Sequence, residues 1–509
     1  MAKSKNPSRK NDAGTGIGIK ITLIAVAVLC VLALVYAIVS GTGLLARTTT
    51  AMTVGGDQIS TADLQMYYAD ARATCLSTYG YYLSLYGYDY TSPTFDAQSC
   101  LFDSSKTWKE YFTEQAEDTA EQVSILAQEA TKAGMTTSED RQKELDTFMD
   151  TLAETAESNG YSLKKYVKLA FGSGIRVSDV EDYRAKRALA STYYDYLKES
   201  FAIGDSEIDA YYSENPDNYD VATYYAYDVA YETFTYDASS TEEGAPTSEA
   251  DAEARTEAAR AAAEETANAI YSALKADGSN FDDVVLANIE NSDESYETSL
   301  HEDTAISSLT GESGTWLTAE GRKSGDMAVV EDETNGKYTV CLFLDRHVSD
   351  VHTMAVRHIL FTTETAASDA DAEETARVEA ANAEARALAE QVYAEWQNGD
   401  QTEDSFAALA VEYSEDGSAS EGGLITGVYP GQMVTEFDEW CFDESRKSGD
   451  HDLIETSYGY HIMYYVGQEG LKYRSDIKAT LEDEQFNAWL EETEGNYTTV
   501  YSKVGLMLL

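Results

Sequence analysis

The sequence predicts an α+β multidomain chain with one membrane-spanning helix near its N-terminus, a helical region after it, and two tandem copies of one α+β unit. Three observations carry that prediction. A single apolar run, Ile21 to Val39, is broken only by Thr22 and is long enough to cross a hydrocarbon core as a helix. Apolar residues then recur at three- and four-residue spacing from about residue 52 to 220, as amphipathic helices require. Beyond that, the pentapeptide Arg-Lys-Ser-Gly-Asp appears twice, at 322–326 and 446–450, each time six residues after a tryptophan.

The 509 residues exceed what one core supports, and 43% hydrophobic with 11% aromatic residues is enough to bury several. Ahead of the apolar run lie Lys3, Lys5, Arg9, Lys10 and Lys20 against the single acid Asp12. By the positive-inside rule, residues 1–20 form a cytoplasmic basic tail and residues 21–40 the anchor, leaving the bulk of the chain extracytoplasmic on a single-pass membrane protein. A cleaved signal peptide is the rival reading, with Ala46 and Ala51 near a small-residue cleavage site, but the run is long for one. Cys30 lacks the small residue before it that a lipidation site wants, which makes it a core residue of the anchor.

With 36 basic and 91 acidic residues the formal charge is −55, which disfavours nucleic acid and anionic headgroups as partners of the chain as a whole. Five cysteines show no metal-ligand spacing. Cys75 and Cys100 flank a tyrosine-rich stretch and leave a disulfide open, while Cys341 and Cys441 sit among large apolar residues as buried thiols.

The helical region spans about 41–220 and begins its first helix at Ser60-Thr61-Ala62-Asp63. The tyrosines Tyr79, Tyr81, Tyr82, Tyr86, Tyr88 and Tyr90 are expected to pack within it. Each duplicated unit, 221–348 and 351–468, then runs as a strand (Thr223 to Thr233; Thr353 to Phe361), an Ala/Glu-rich helix (Glu249 to Ala276; Asp369 to Gln397), a second helix opening on Phe281 or Phe406, a tryptophan (Trp316 or Trp440), the pentapeptide and a β-rich end. A last helix, Asp476 to Leu490 within 469–509, is expected to pack back onto the N-terminal region.

The second copy carries a recognisable set of residues: Val356-Arg357-His358-Ile359-Leu360-Phe361, Phe406 to Ser414, Asp416, Gly422-Gly423, Gly431-Gln432-Met433, Glu436-Phe437 and Tyr458-Gly459-Tyr460-His461-Ile462. In order and spacing it resembles the parvulin-type peptidyl-prolyl cis-trans isomerases over essentially a whole domain. The wider arrangement of anchor, helical region and parvulin units resembles the PrsA and SurA type of extracytoplasmic foldase. The resemblance implies a rotamase and chaperone acting on unfolded or partly folded secretory proteins that contain X-Pro bonds. It implies no cofactor and no metal, and leaves a homodimer open. The alternative function is a non-catalytic holdase with an inactive parvulin fold.

Rotation about an X-Pro amide is opposed by roughly 18–20 kcal/mol, and needs no covalent step if the twisted amide is bound more tightly than either planar form. An apolar slot for the proline ring and polar groups around the carbonyl meet that need. Met433 and Phe437, four apart on one helical face, suit the slot together with Leu424 or Ile425. The resemblance places His358 and His461 on facing central strands, sharing a hydrogen bond beneath the substrate, and Asp416 where the family carries Cys or Asp beside the carbonyl. The chain departs from the family after Gly422-Gly423, where Leu424-Ile425-Thr426 replaces Asp-Leu-Gly, so the choice between Leu424 and Ile425 stays open. A hydrolase or metal site built on His347, His352 and His358 matches no ligand spacing, and there is no Gly-x-Ser-x-Gly.

The first copy is expected to keep the scaffold and lack the site. A strand alignment puts Asp228 at the position of His358 and Tyr338 at that of His461. Nothing between Asn288 and Thr310 reproduces Asp416 with Gly422-Gly423, and the Gly431-Gln432-Met433 element is missing.

Overall fold

The computed structural model describes residues 43–172, 174–239, 244–288, 296, 298–367 and 371–509. Among these no helix is long and apolar enough to cross a membrane. The run Ile21 to Val39, with Cys30, lies outside the described residues. The chain divides into two compact units, Met1–Ala202 with Glu482–Leu509, and Ile203–Leu481.

In the first unit, the short helix α1 (Leu44–Thr48) leads into strands β1 (Thr50–Val54) and β2 (Asp57–Ser60), followed by helices α2 (Thr61–Leu85), α3 (Trp108–Lys132), α4 (Glu139–Ser158), α5 (Leu163–Ala170) and α6 (Val177–Ser200). Ser60 caps α2 reciprocally with Asp63, each side chain bonding the other's backbone N–H, and this fixes where the hairpin ends and the helix begins. The core joins Met52, Val54 and Ile59 of the hairpin to Leu64, Met66 and Tyr67 of α2, Ile125 of α3 and Val180 of α6.

The tyrosine stretch divides in two. Tyr88 and Tyr90 pack on a cluster of Cys75, Leu83, Phe95, Cys100, Trp108 and Phe112. Tyr79, Tyr81, Tyr82 and Tyr86 instead stand 45–73% exposed. Cys75 and Cys100 are free thiols in that cluster.

In the second unit, α7 (Asp205–Glu214) precedes β3 (Asp220–Ala230), α8 (Glu249–Ala273), α9 (Phe281–Asn288), β4 (Leu300–Ala305), α10 (Gly311–Thr318), β5 (Met327–Asp332) and β6 (Lys337–Val348). The same series follows again as β7 (His352–Thr362), α11 (Ala372–Asn398), α12 (Glu403–Tyr413), β8 (Leu424–Val428), α13 (Thr435–Cys441), β9 (His451–Thr456) and β10 (Gly459–Leu471). The sheets have matching antiparallel orders, β4-β3-β6-β5 and β8-β7-β10-β9. Strand alternation sends Ile359, Phe361, Ile462 and Tyr464 to one face, against Val392 and Trp396 of α11 and Phe406 of α12. Val356, Met463 and Tyr465 face the other way, against Phe437, Trp440 and Cys441 of α13.

The repeated pentapeptide does the same work twice. Arg322 lies 3.8 Å over the Trp316 ring and Arg446 lies 4.1 Å over Trp440, and each donates to the carbonyl of that tryptophan. Gly325 then donates to Phe343 O and Gly449 to Tyr465 O, at φ +88° and +90°. These bonds fix the register of β6 and β10.

The chain continues from β10 into α14 (Lys472–Glu494), then β11 (Thr499–Tyr501) and α15 (Lys503–Leu506). Phe486 and Trp489 of α14 pack on Leu126, Ala190, Tyr193 and Leu197 of the first unit's helices, and β11 pairs antiparallel with β1, an added strand that the sequence pattern does not reveal.

Gly449→Ala and Gly325→Ala are each expected to weaken their own copy by about 1–3 kcal/mol, the cost of a non-glycine residue in such a conformation. Hydrogen exchange of the full chain read by mass spectrometry should show faster exchange in β10 for the first variant and in β6 for the second. Unchanged protection in both would contradict the role given to these turns.

Candidate active site

The site of the second copy lies on the α13 face of its sheet. His358 in β7 and His461 in β10 are 3% and 4% exposed, and their Nδ1 atoms are 3.1 Å apart. The strands are paired so that His358 faces Met463 and His461 faces Leu360, a diagonal that brings the two rings together. At the outer end of each ring a further partner closes the network. Asp416 Oδ1 lies 3.1 Å from His358 Nε2, and Thr456 Oγ1 lies 2.9 Å from His461 Nε2.

Asp416 caps the turn Gly417–Glu421, accepting from Ser418 N at 2.8 Å and Ser418 Oγ at 2.5 Å. The His358 ring beside it, together with these donors, holds the Asp416 carboxyl well below the usual carboxylate range despite partial burial. Burial, reinforced by the neighbouring His358, pushes His461 down to about 4. At neutral pH Asp416 is therefore ionised and His461 neutral. His358 Nε2–H donates to Asp416, the two Nδ1 atoms share one proton between them, and Thr456 Oγ1 hydrogen-bonds with His461 Nε2 while accepting from Tyr458 N at 3.1 Å.

Phe437 stands edge-on to both imidazoles, with ring centroids 5.5 Å from His358 and 5.7 Å from His461 at angles of 86° and 81°. Met433 and Ile425 pack with it in the same cluster. Ile425 pairs with Val356 and so shares its face, whereas Leu424 pairs with Arg357 and belongs to the opposite face. The structure thus groups Ile425, Met433 and Phe437 over the histidines and leaves Leu424 out.

Two glycines let β8 come this close. Gly422 and Gly423 both have positive φ, +69° and +71°, and a Cβ on Gly423 would lie 2.1 Å from His358 O. Gly423 O in turn accepts from His358 N at 2.9 Å.

Ser418 and Thr456 complete the network and were not foreseen from the sequence. Ser418 carried only a turn signal, Asp416-Gly417-Ser418, and Thr456 only its position five residues before His461.

The shared pentapeptide corrects the alignment of the first copy. Phe343 and Tyr465 make equivalent bonds to it, so His461 corresponds to Thr339 and, through the strand pairing, His358 to Ala226. The expected Asp228 is two residues off along the strand. Tyr338 is one residue off, on the helix-covered face with Phe281 and Val340. Asp228 accepts instead from Thr339 Oγ1 at 2.6 Å and Lys337 Nζ at 2.7 Å. The face that carries the site in the second copy is packed here with Tyr224, Ile306, Leu317 and Phe343.

Residues 358–467 match the family model of the rotamases, described as the PPIC-type PPIase domain. Over that segment the chain is similar to the family whose pattern it resembles. Foldase protein PrsA 3 of Bacillus anthracis is 38% identical over 97 residues, 18% of this chain and 33% of the relative. Chaperone SurA of Burkholderia thailandensis is 28% identical over 110 residues, 20% of this chain and 24% of the relative. A solved PrsA from Bacillus anthracis is 20% identical, with 28% of this chain and 59% of that one covered at a TM-score of 0.18. The chain spans about a third of the length of the PrsA relatives it matches first, 33% in both.

His461 sets a pH dependence. Its folded value lies below the ordinary one, so between about 6.5 and about 4 the unfolded chain takes up a proton that the folded site refuses. This contribution to stability is full above about 6.5 and is lost as pH falls toward 4. Thermal melts of full-length protein and His461→Asn across this range should show the wild type losing stability more steeply. Parallel curves would contradict the buried neutral ring.

Proposed function

We propose that this chain is a peptidyl-prolyl cis-trans isomerase and foldase for secreted proteins, anchored in the cell membrane by residues 21–40 with its bulk outside. The observation that carries the reading is the ionised Asp416 and the hydrogen-bonded His358–His461 pair beneath an apolar slot of Ile425, Met433 and Phe437. The slot takes the proline ring. The hydrogen-bonded rings form a fixed polar floor that does not reorganise as the amide twists, and Asp416 places a charge near the rotating carbonyl and amide nitrogen. Binding the twisted form better by about 5 kcal/mol accelerates rotation several thousandfold without covalent chemistry.

Residues 41–220 serve in this reading as the region that holds unfolded clients, supported by the exposed Tyr79, Tyr81, Tyr82 and Tyr86. Residues 221–348 are a parvulin-like unit without the site, a spacer or additional client surface. Ala226 and Thr339 in place of the histidines and the filled face over β3 and β6 support this.

Phe437→Ala and His358→Ala are each expected to lower kcat/KM for a proline tetrapeptide by tenfold or more, about 1.4 kcal/mol in transition-state binding. Wild-type activity in a folded Phe437→Ala protein would refute the slot. The double variant reports on the first copy as well. Its catalysis should fall to the uncatalysed background, and a residual rate abolished only by deleting 221–348 would show that the first copy is itself an isomerase.

A further inference from the structure

Two acid-free stretches meet at one end of the first unit. Residues 43–56 and 495–509 contain no Asp or Glu, in a chain with 91 of them. The fold joins the stretches through backbone contacts. Ser502 N donates to Ala51 O at 2.8 Å, and Thr61 Oγ1 donates to Gly505 O at 3.0 Å and Thr49 O at 3.3 Å. Gly505 is so close to β1 that a Cβ there would lie 2.3 Å from Thr50 O. α1 and α15 are thereby fixed at the same end of β1.

Both short helices are amphipathic in an unusual way. Ala46, Leu506 and Leu509 pack toward the core. Leu44, Val504, Met507 and Leu508 are left 47%, 65%, 84% and 37% exposed. The charged side chains on these helices are Lys503 and Arg47, both basic, and the Arg47 guanidinium also donates to Gly174 O. Apolar side chains framed by cations are the composition of a surface that lies in a membrane interface, where long basic side chains reach back to the headgroups.

The chain outside the described residues says what lies opposite. The apolar run ends at Val39, and Leu44 follows five residues later, within about 18 Å even if the linker is fully extended. A bilayer crossed by that run therefore lies within reach of this end of the first unit. We propose that Leu44, Val504, Met507 and Leu508 rest in the lipid interface as a foot that holds the first unit on the membrane. The inference depends on the proposed anchor and adds to it a second contact, made by folded structure.

The test uses full-length protein reconstituted into phosphatidylcholine vesicles containing lipids brominated near the headgroup. Tryptophan is introduced as Met507→Trp and, as a control, as Asp237→Trp in an exposed loop, and the wild-type spectrum is subtracted. Co-flotation with the vesicles, together with quenching of the residue-507 probe about twofold or more above the control, is the expected result. Co-flotation with equal quenching at both positions would leave the anchor standing and overturn the foot. A blue-shifted residue-507 probe that the lipid does not quench would also overturn it, because protein, such as a second copy, would then cover the face. A chain that does not float with the vesicles would overturn the anchor and the foot together.

Discussion

The contact between His358 Nδ1 and His461 Nδ1 is the constraint on which the second copy's architecture depends. Two imidazoles at 3.1 Å can share one proton but cannot both present one. The pair is therefore stable only if each outer nitrogen has the right partner, Asp416 on one side and Thr456 on the other. Placing Asp416 requires the turn after α12, and that turn requires the Gly422-Gly423 pair to bring β8 against β7. Placing Thr456 requires β9 to end where it does, which the Gly449 turn secures through the register of β10. Breaking the pair would leave buried polar nitrogens without partners, at a cost of about 1–3 kcal/mol for each group.

The two copies show which parts of this design belong to the scaffold. The arginine stacked on a tryptophan and the glycine that fixes the last strand are present in both, together with the phenylalanine that opens the second helix. Among the described residues, the histidine pair, the capped Asp416 turn and the apolar slot occur in the second copy alone. A sheet of this order accepts Ala226 and Thr339 at the central positions as readily as histidines, because its stability comes from the helix-covered face and the register turns. The site is an addition to a fold that stands without it, in keeping with function residing in particular side chains rather than in the fold that carries them.

Much of this was legible in the sequence where two independent signals coincided. The duplication rested on a pentapeptide in register with two tryptophans, and both features proved to be one contact. The second copy's strand and helix order followed from periodicity anchored by the family pattern. Legibility failed where a single residue decided the outcome. Strand alternation alone could not fix the first copy's register, so Asp228 and Tyr338 were chosen where Ala226 and Thr339 lie. The choice between Leu424 and Ile425 turned on which residue opposes Val356, a pairing that the altered loop hides. The tyrosines of α2 looked like core because composition alone does not show which side chains of a helix face solvent. Pairing of β11 with β1 joins residues more than four hundred apart, and no local pattern announces it.

The claim most open to test concerns protons, since the slot's floor combines an ionised carboxylate with a buried His461 ring that stays neutral. Long-range ¹H–¹⁵N spectra of the imidazole side chains in full-length protein, recorded from pH 8 to pH 4, read that arrangement directly. His461 is predicted to stay neutral until the pH approaches about 4. A His461 ring that gains a second proton near pH 6.5 would contradict the buried neutral ring.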